Sequence, residues 1–233
     1  MNVSRFFLCL LFAVAITAGA SAVETAEDLQ SGIPTEISLP EPDLTGEISL
    51  EQALAGRRSI RSFAAQPLTL AQAGQLLWAA QGVTGRDSRF RTAPSAGALC
   101  PLEIYLVAAN VDGLTPGVYQ YIPDGHMIAL VASSDVRETL AQAALGQDVV
   151  RNSQAVIAIS AIYERNSVKY GERSSRYVPM DAGHASQNVQ LQAVALGLGT
   201  CAVGGFYDDK VSEALFLTDE EVPLLLIPVG VPE

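Results

Sequence analysis

From Asp181 to Leu196 the chain is apolar on two sides at helical spacing, and this restricts its fold more than any other stretch. Ala185, Val189, Ala193 and Leu196 form one apolar face, and Leu191, Val194 and Ala195 form another. A helix with so little polar surface needs two partners to keep it from water. One is the sheet of its own chain. The other is the same helix of a second copy, because homodimer interfaces resemble a protein core cut in half. The alternative is a helix buried wholly inside one domain.

The remaining pattern alternates helices and strands. Ser49 with Gln52 and Thr69 with Gln72 have capping-box spacing, which predicts helices over 50–55 and 70–81. In the second, Leu70, Ala73, Leu76, Leu77 and Ala80 recur on one face and Gly82 closes the helix. Alternating or continuous apolar runs predict strands over 102–109, 118–122, 127–131, 155–162 and 224–229. Further helices are expected over 135–145 and 209–215. The order gives an α+β protein with a mixed, mainly antiparallel sheet flanked by helices.

Residues 1–22 read as an export signal: Arg5, an apolar run from Phe6 to Ala15 too short to span a bilayer, and Ala20-Ser21-Ala22 before the expected cleavage point. The mature protein is expected in the periplasm or outside the cell, without a membrane span. Residues 23–48 carry seven acidic side chains, no basic one, and Pro34, Pro40 and Pro42. They read as an extended or mobile acidic arm. Residues 49–233 then form one domain. It holds 13 of the 14 basic residues and 18 of the 25 acidic ones, so no general nucleic-acid surface is expected. Cys100 and Cys201 remain after the signal, and both are expected as buried free thiols. No metal-ligand spacing occurs.

Against this sparse basic content, Arg57 to Phe63 (RRSIRSF) places three arginines and two serines in seven residues. Guanidinium forks bind phosphate oxygens in pairs, so an anion is the natural ligand. A solvated basic loop is the plain alternative. Pro94-Ser95-Ala96-Gly97 leads into a strand, and Gly97 permits close approach to a planar ligand, although an ordinary turn explains the same residues. Gly204-Gly205 follows the helix ending at Gly197 and has no dinucleotide-binding spacing. His184 is expected to be a hydrogen-bonded helix residue rather than a ligand, with proton transfer as a lesser role.

RRSIRSF at 57–63, APSAGALCPLEIYLV at 93–107, MDAGHASQN at 180–188 and LGLGTCAVGGF at 196–206 resemble, in order and spacing, the nitroreductase-like flavin oxidoreductases. The branch most similar is that of the SagB/ThcOx-type dehydrogenases, which oxidise azoline rings in peptide natural products. The likeness runs over residues 37–230. It implies the nitroreductase fold, a homodimer and FMN. It implies that Arg57 and Ser59 take the FMN phosphate, that Arg58 lines the same loop, and that Arg61 lies near N1 and O2 of the ring. There a fixed cation stabilises the anionic reduced flavin. By the same resemblance Pro94, Ser95, Ala96 and Gly97 meet a flavin bound mainly by the other subunit. Gly204 and Gly205 lie against the ring, with the Gly205 N–H at N5, and Gln147 touches the ribityl chain. Arg61 and Gly205 are thus the expected catalytic positions, in ping-pong hydride transfer at N5 on a small organic or peptide-derived substrate.

The chain departs from the family in two ways. Cys100 stands where the branch often has tyrosine. No basic residue follows Lys210, so the phosphate would rest chiefly on Arg57 and Ser59. An exported enzyme also meets little NAD(P)H, which points to a substrate or partner protein as electron donor. A flavin-binding module without turnover and a degenerate fold serving as an interaction protein stay open as alternatives.

Overall fold

The computed structural model describes residues 36–86 and 88–233. The segment read as an export signal and the part of the acidic arm before Glu36 lie outside the described residues. Seven strands form one sheet: β1 (Glu36–Ser38), β2 (Leu102–Ala108), β3 (Gly117–Ile122), β4 (Met127–Ala132), β5 (Ala155–Ile162), β6 (Gly199–Thr200) and β7 (Glu221–Gly230). Their order is β1-β4-β3-β2-β5-β7-β6, and every neighbouring pair is antiparallel. The mainly antiparallel expectation holds. The parallel component is confined to single bridges, Ser59 to Thr200 and Leu68 to Val111.

Side-chain alternation along the central strands sends residues to two cores. Ile104 and Leu106 of β2, with Ile157 and Ile159 of β5, pack on one face; Tyr105, Val107, Val156 and Ala158 pack on the other. The first core is covered by α2 (Leu70–Gln81) and α6 (Ser174–Ala195), with α1 (Leu50–Gly56) against α6. The second is covered by α3 (Arg137–Ala143), α4 (Asp148–Arg151) and α7 (Asp208–Leu215). The protein is a helix–sheet–helix sandwich.

Both predicted capping boxes form. Ser49 Oγ accepts the Gln52 N–H at 3.2 Å and the Gln52 side chain accepts the Ser49 N–H at 2.7 Å. Thr69 and Gln72 repeat the pair at 3.1 and 2.9 Å. These reciprocal bonds satisfy amides that a helix start otherwise leaves open.

The sequence reading starts α6 too late and misses α4, α5 (Glu164–Tyr170), β1 and β6. α6 begins at Ser174 rather than Asp181, and its first turns carry Pro179 inside the helix. α5 is a short, mostly exposed helix. β1 belongs to the acidic arm. It adds an edge strand to β4, with Leu39 buried behind it. The arm is fastened there by His126: its backbone oxygen accepts the Leu39 N–H at 3.0 Å, and its Nε2 donates to the Pro40 carbonyl at 3.0 Å. A carbonyl only accepts, so Nε2 carries the proton and Nδ1 takes the Tyr121 hydroxyl at 2.9 Å.

Cys201 is buried and Cys100 half-buried, and both are free thiols. Cys100 sits at the loop edge before β2, which explains its greater exposure. No helix among the described residues is long and apolar enough to cross a membrane.

Candidate functional site

The arginine segment leaves α1 and runs alongside β6. The Arg57 N–H closes the helix on the Ala53 carbonyl at 2.9 Å, and the Ile60 N–H donates to the Thr200 carbonyl at 2.8 Å. The two backbones approach so closely that a Cβ on Gly199 would meet the Ile60 side chain at 2.8 Å. Within this frame the arginines separate. Arg57 is half-buried and donates to Gln190 Oε1 at 3.4 Å. Arg58 turns back to donate to the Ala55 and Arg57 carbonyls at 3.0 and 2.7 Å. Ser59 and Arg61 are exposed. The segment therefore offers concentrated positive charge beside an accessible hydroxyl.

β6 continues from this segment to the glycine pair. Val203 exchanges backbone hydrogen bonds with Leu226 of β7, after which Gly204 and Gly205 emerge exposed. A Cβ on Gly204 would lie 3.7 Å from Leu225, and one on Gly205 would lie 3.7 Å from Leu145, both ordinary contacts. Packing within the chain does not require glycine here. Neither amide donates to another group among the described residues. The bare backbone is thus open to solvent. Gln147 joins the pair by donating from Nε2 to the Gly205 carbonyl at 3.1 Å. The arginine segment thus runs parallel to β6 through Ser59 and Thr200, while Gly204, Gly205 and Gln147 lie beyond the end of that strand.

The loop from Pro94 to Cys100 is fixed differently. The Asp181 carboxylate of α6, only 4 % exposed, accepts the Ala96 N–H at 3.0 and 3.2 Å. Ser95 Oγ in turn accepts the Cys100 N–H at 3.0 Å. These bonds hold three residues at positive φ: Gly97 at 67°, Ala98 at 55° and Cys100 at 45°. For Ala98 and Cys100 that conformation costs about 1–2 kcal/mol each, so the clamp has strain to overcome. Burial pushes the Asp181 carboxyl up from its ordinary value, while the Ala96 N–H, the Ser95 hydroxyl and His184 oppose that rise. The loop also rests on α5. A Cβ on Gly97 would meet Tyr170 Oη at 2.7 Å and Lys169 Nζ at 3.0 Å.

Arg57 and the loop do not meet within one chain. Their anchors on α6, Gln190 and Asp181, are nine residues apart. At 100° and 1.5 Å per residue they lie on opposite sides of the helix, separated along it by about 13 Å.

A nitroreductase family model matches residues 54–231. A provisionally named nitroreductase of Methanocaldococcus jannaschii is 48% identical over 200 residues, covering 85% of this chain and 98% of that protein. The chain belongs to the nitroreductase family. Its members are typically flavin-dependent oxidoreductases, and the nitroreductase fold is shared with a crystal structure from Ralstonia eutropha, also provisionally named. That match has 30% identity and a TM-score of 0.76, covering 86% of this chain and 90% of the other. The microcin B17-processing protein McbC of Escherichia coli is 29% identical over 143 residues, covering 59% of this chain and 52% of McbC.

Within this nitroreductase, the residues missed from sequence are those that act through the fold. Asp181 was visible only as a helix residue, and its grip on Ala96 depends on a loop distant in sequence. Gln190, Lys169 and Tyr170 carried no signal apart from their positions near recognised segments. His184 is exposed, and no hydrogen bond ties it to the other described residues. Its expected hydrogen-bonded role is therefore corrected: it lies one turn from Asp181 and acts on it only through charge.

Proposed function

We propose that the protein is an FMN-dependent oxidoreductase acting as a homodimer, of the SagB/ThcOx-type branch that its motifs resemble, on a small organic or peptide-derived substrate. The opposite placement of Gln190 and Asp181 on α6 carries this reading. One chain offers a phosphate grip and a bare-backbone platform. Its clamped loop points to a second site, and a two-fold copy would complete both. A cleft of about 510 Å³ lined by Leu50, Trp78, Leu191 and Ala195 supports a second copy, as do the nearby exposed Leu44 and Leu54. McbC, a peptide-processing relative, supports the peptide-derived class.

The residues fit FMN. Arg57, with its guanidinium steadied by Gln190, would hold the phosphate together with Ser59. Gly204 and Gly205 would accept the flat ring where any side chain would intrude, with Gln147 fixing the Gly205 carbonyl behind it. When bound, FMN supplies a carrier that takes hydride at N5 from one substrate and gives electrons to a second in ping-pong order. Arg61 places a cation where negative charge develops. Lys169 and Tyr170 bring protic groups beside Gly97 and would carry the proton that accompanies each transfer at a flavin held there. If the segment before the arm exports the protein, a substrate or partner protein supplies the electrons instead of NAD(P)H.

The visible spectrum of freshly purified protein tests the proposal. A flavin band that bleaches with an organic donor and returns with quinone, nitroarene or oxygen supports it. Colourless protein that does not take up FMN contradicts it.

A further inference from the structure

Behind the clamped loop lies a small cavity unrelated to the cleft on α6. It encloses about 80 Å³ and is lined by Gln81, Arg91, Cys100, Glu103, Tyr121 and Arg165, among others. Two hydrogen-bond donors in its lining are buried without a partner: Gln81 Nε2, on a residue 3 % exposed, and Arg91 Nε. The other polar groups are engaged. Arg165 pairs with Glu103 at 2.6 Å and also donates to the Cys100 carbonyl at 3.3 Å. The second Glu103 oxygen accepts Gln120 Nε2 at 3.0 Å. Tyr121 Oη bonds His126 Nδ1 at 2.9 Å, and burial holds the phenol firmly protonated by pushing its pKa up. Arg91 Nη1 makes a long 3.4 Å bond to the Gln81 carbonyl.

The charges in this lining do not cancel. Arg165 and Glu103 neutralise each other, leaving the Arg91 guanidinium without a paired carboxylate among the described residues. Water could satisfy the two donors but would not supply the missing charge. A small anion does both, and a guanidinium whose Nε is shut off from water gains most from an acceptor that is itself charged. The volume sets the size. At about 30 Å³ per water, the space holds one halide- or nitrate-sized ion with a water or two, and no phosphate ester.

We propose that this cavity is a binding site for a small monovalent inorganic anion, held by Arg91 and Gln81. Its walls bracket the loop, since Arg91 lies just before Pro94 and Cys100 lies at the loop's end. The bound ion thus fastens the approach to a segment whose middle is held by Asp181, against the wall that Cys100 forms at its far end. This does not depend on the flavin reading.

The test is thermal unfolding of the full chain at fixed ionic strength, with gluconate, which is too large to enter, compared against chloride, bromide and nitrate. The site predicts a saturable rise in Tm of about 2–4 °C with the small anions. That rise disappears in Arg91→Gln and Gln81→Leu. A crystal of the unaltered protein soaked in bromide gives a check that needs no variant, with anomalous scattering expected between Arg91 and Gln81. The proposal is overturned by equal Tm values in all four salts, by the same rise in Arg91→Gln, or by water alone in the cavity.

Discussion

The two regions that flank α6 are built on opposite terms. The segment around Arg57 and the glycine pair is open: exposed arginine and serine, bare backbone, and unengaged amides beside β6. The loop from Pro94 to Cys100 is closed, with its amides consumed by Asp181 and Ser95 and its backbone held in left-handed conformations. In the proposed function, the first receives a ligand from outside the chain. The second is arranged to present a rigid edge. A binding region must leave donors unspent, whereas a positioning region must spend them, and the same helix supplies the anchor for each.

The sharpest way to break the contrast is to remove a grip on the open side. Arg57→Ala is expected to weaken FMN binding by about 100-fold in fluorescence titration, the loss of a charge-assisted phosphate contact. Arg58→Ala should change it by less than about threefold, because the Arg58 guanidinium is already turned onto carbonyls. Equal losses for both would erase the distinction drawn within the cluster.

On the closed side, Asp181→Ala leaves the Ala96 N–H unpartnered and releases a strained loop. We expect a loss of about 1–3 kcal/mol in chemical denaturation. Asp181→Asn should recover part of it, since the amide oxygen still accepts from Ala96. An unchanged midpoint in Asp181→Ala would mean the clamp does not hold the loop. Arg61→Ala refines the open side. FMN should stay bound while its reduction slows by about tenfold, because the charge acts where reduced flavin gathers negative charge. Stopped-flow reduction at an unchanged rate would remove Arg61 from that role.

The smallest expected effect lies away from both regions, at the arm. Burial lowers the His126 pKa from its ordinary 6.5, and the Pro40 carbonyl and Glu41 only partly oppose this. The folded chain then binds fewer protons than the unfolded chain. Stability from this group is present above about pH 6.5 and is lost as pH falls below that toward the lower folded value. Protonation would also turn Nδ1 into a donor facing the Tyr121 hydroxyl. The Tm should fall more steeply between pH 7 and 5 in the native chain than in His126→Gln, and parallel slopes would contradict the latch.

How much of this was legible follows from how local each cause is. The capping boxes at Ser49 and Thr69 were readable because partner and cap lie three residues apart. β2 and β5 were readable from alternation alone. The start of α6 at Ser174 was not readable because the two-sided apolar pattern begins only at Asp181, and the turns before it carry Pro179 inside the helix. α5 was invisible because an exposed helix has no apolar stripe, and β1 because three residues in an acidic arm become a strand only when β4 is there to pair. In the site, the arginine cluster stood out as an anion-binding candidate from its composition, whereas Gly204-Gly205 drew notice only through the family resemblance. Asp181 holding Ala96 and Gln190 holding Arg57 join positions 85 and 133 residues apart, so only the folded chain reveals them.

The central claim is that one flavin site draws on two copies of the chain, and subunit complementation tests it most directly. Arg57→Ala and Asp181→Ala chains, each deficient alone, are co-expressed and assayed for FMN-dependent turnover. Mixed dimers should contain one intact site each, returning about one quarter of native activity from random pairing. If the mixture is no more active than the two variants measured separately, the composite site is wrong.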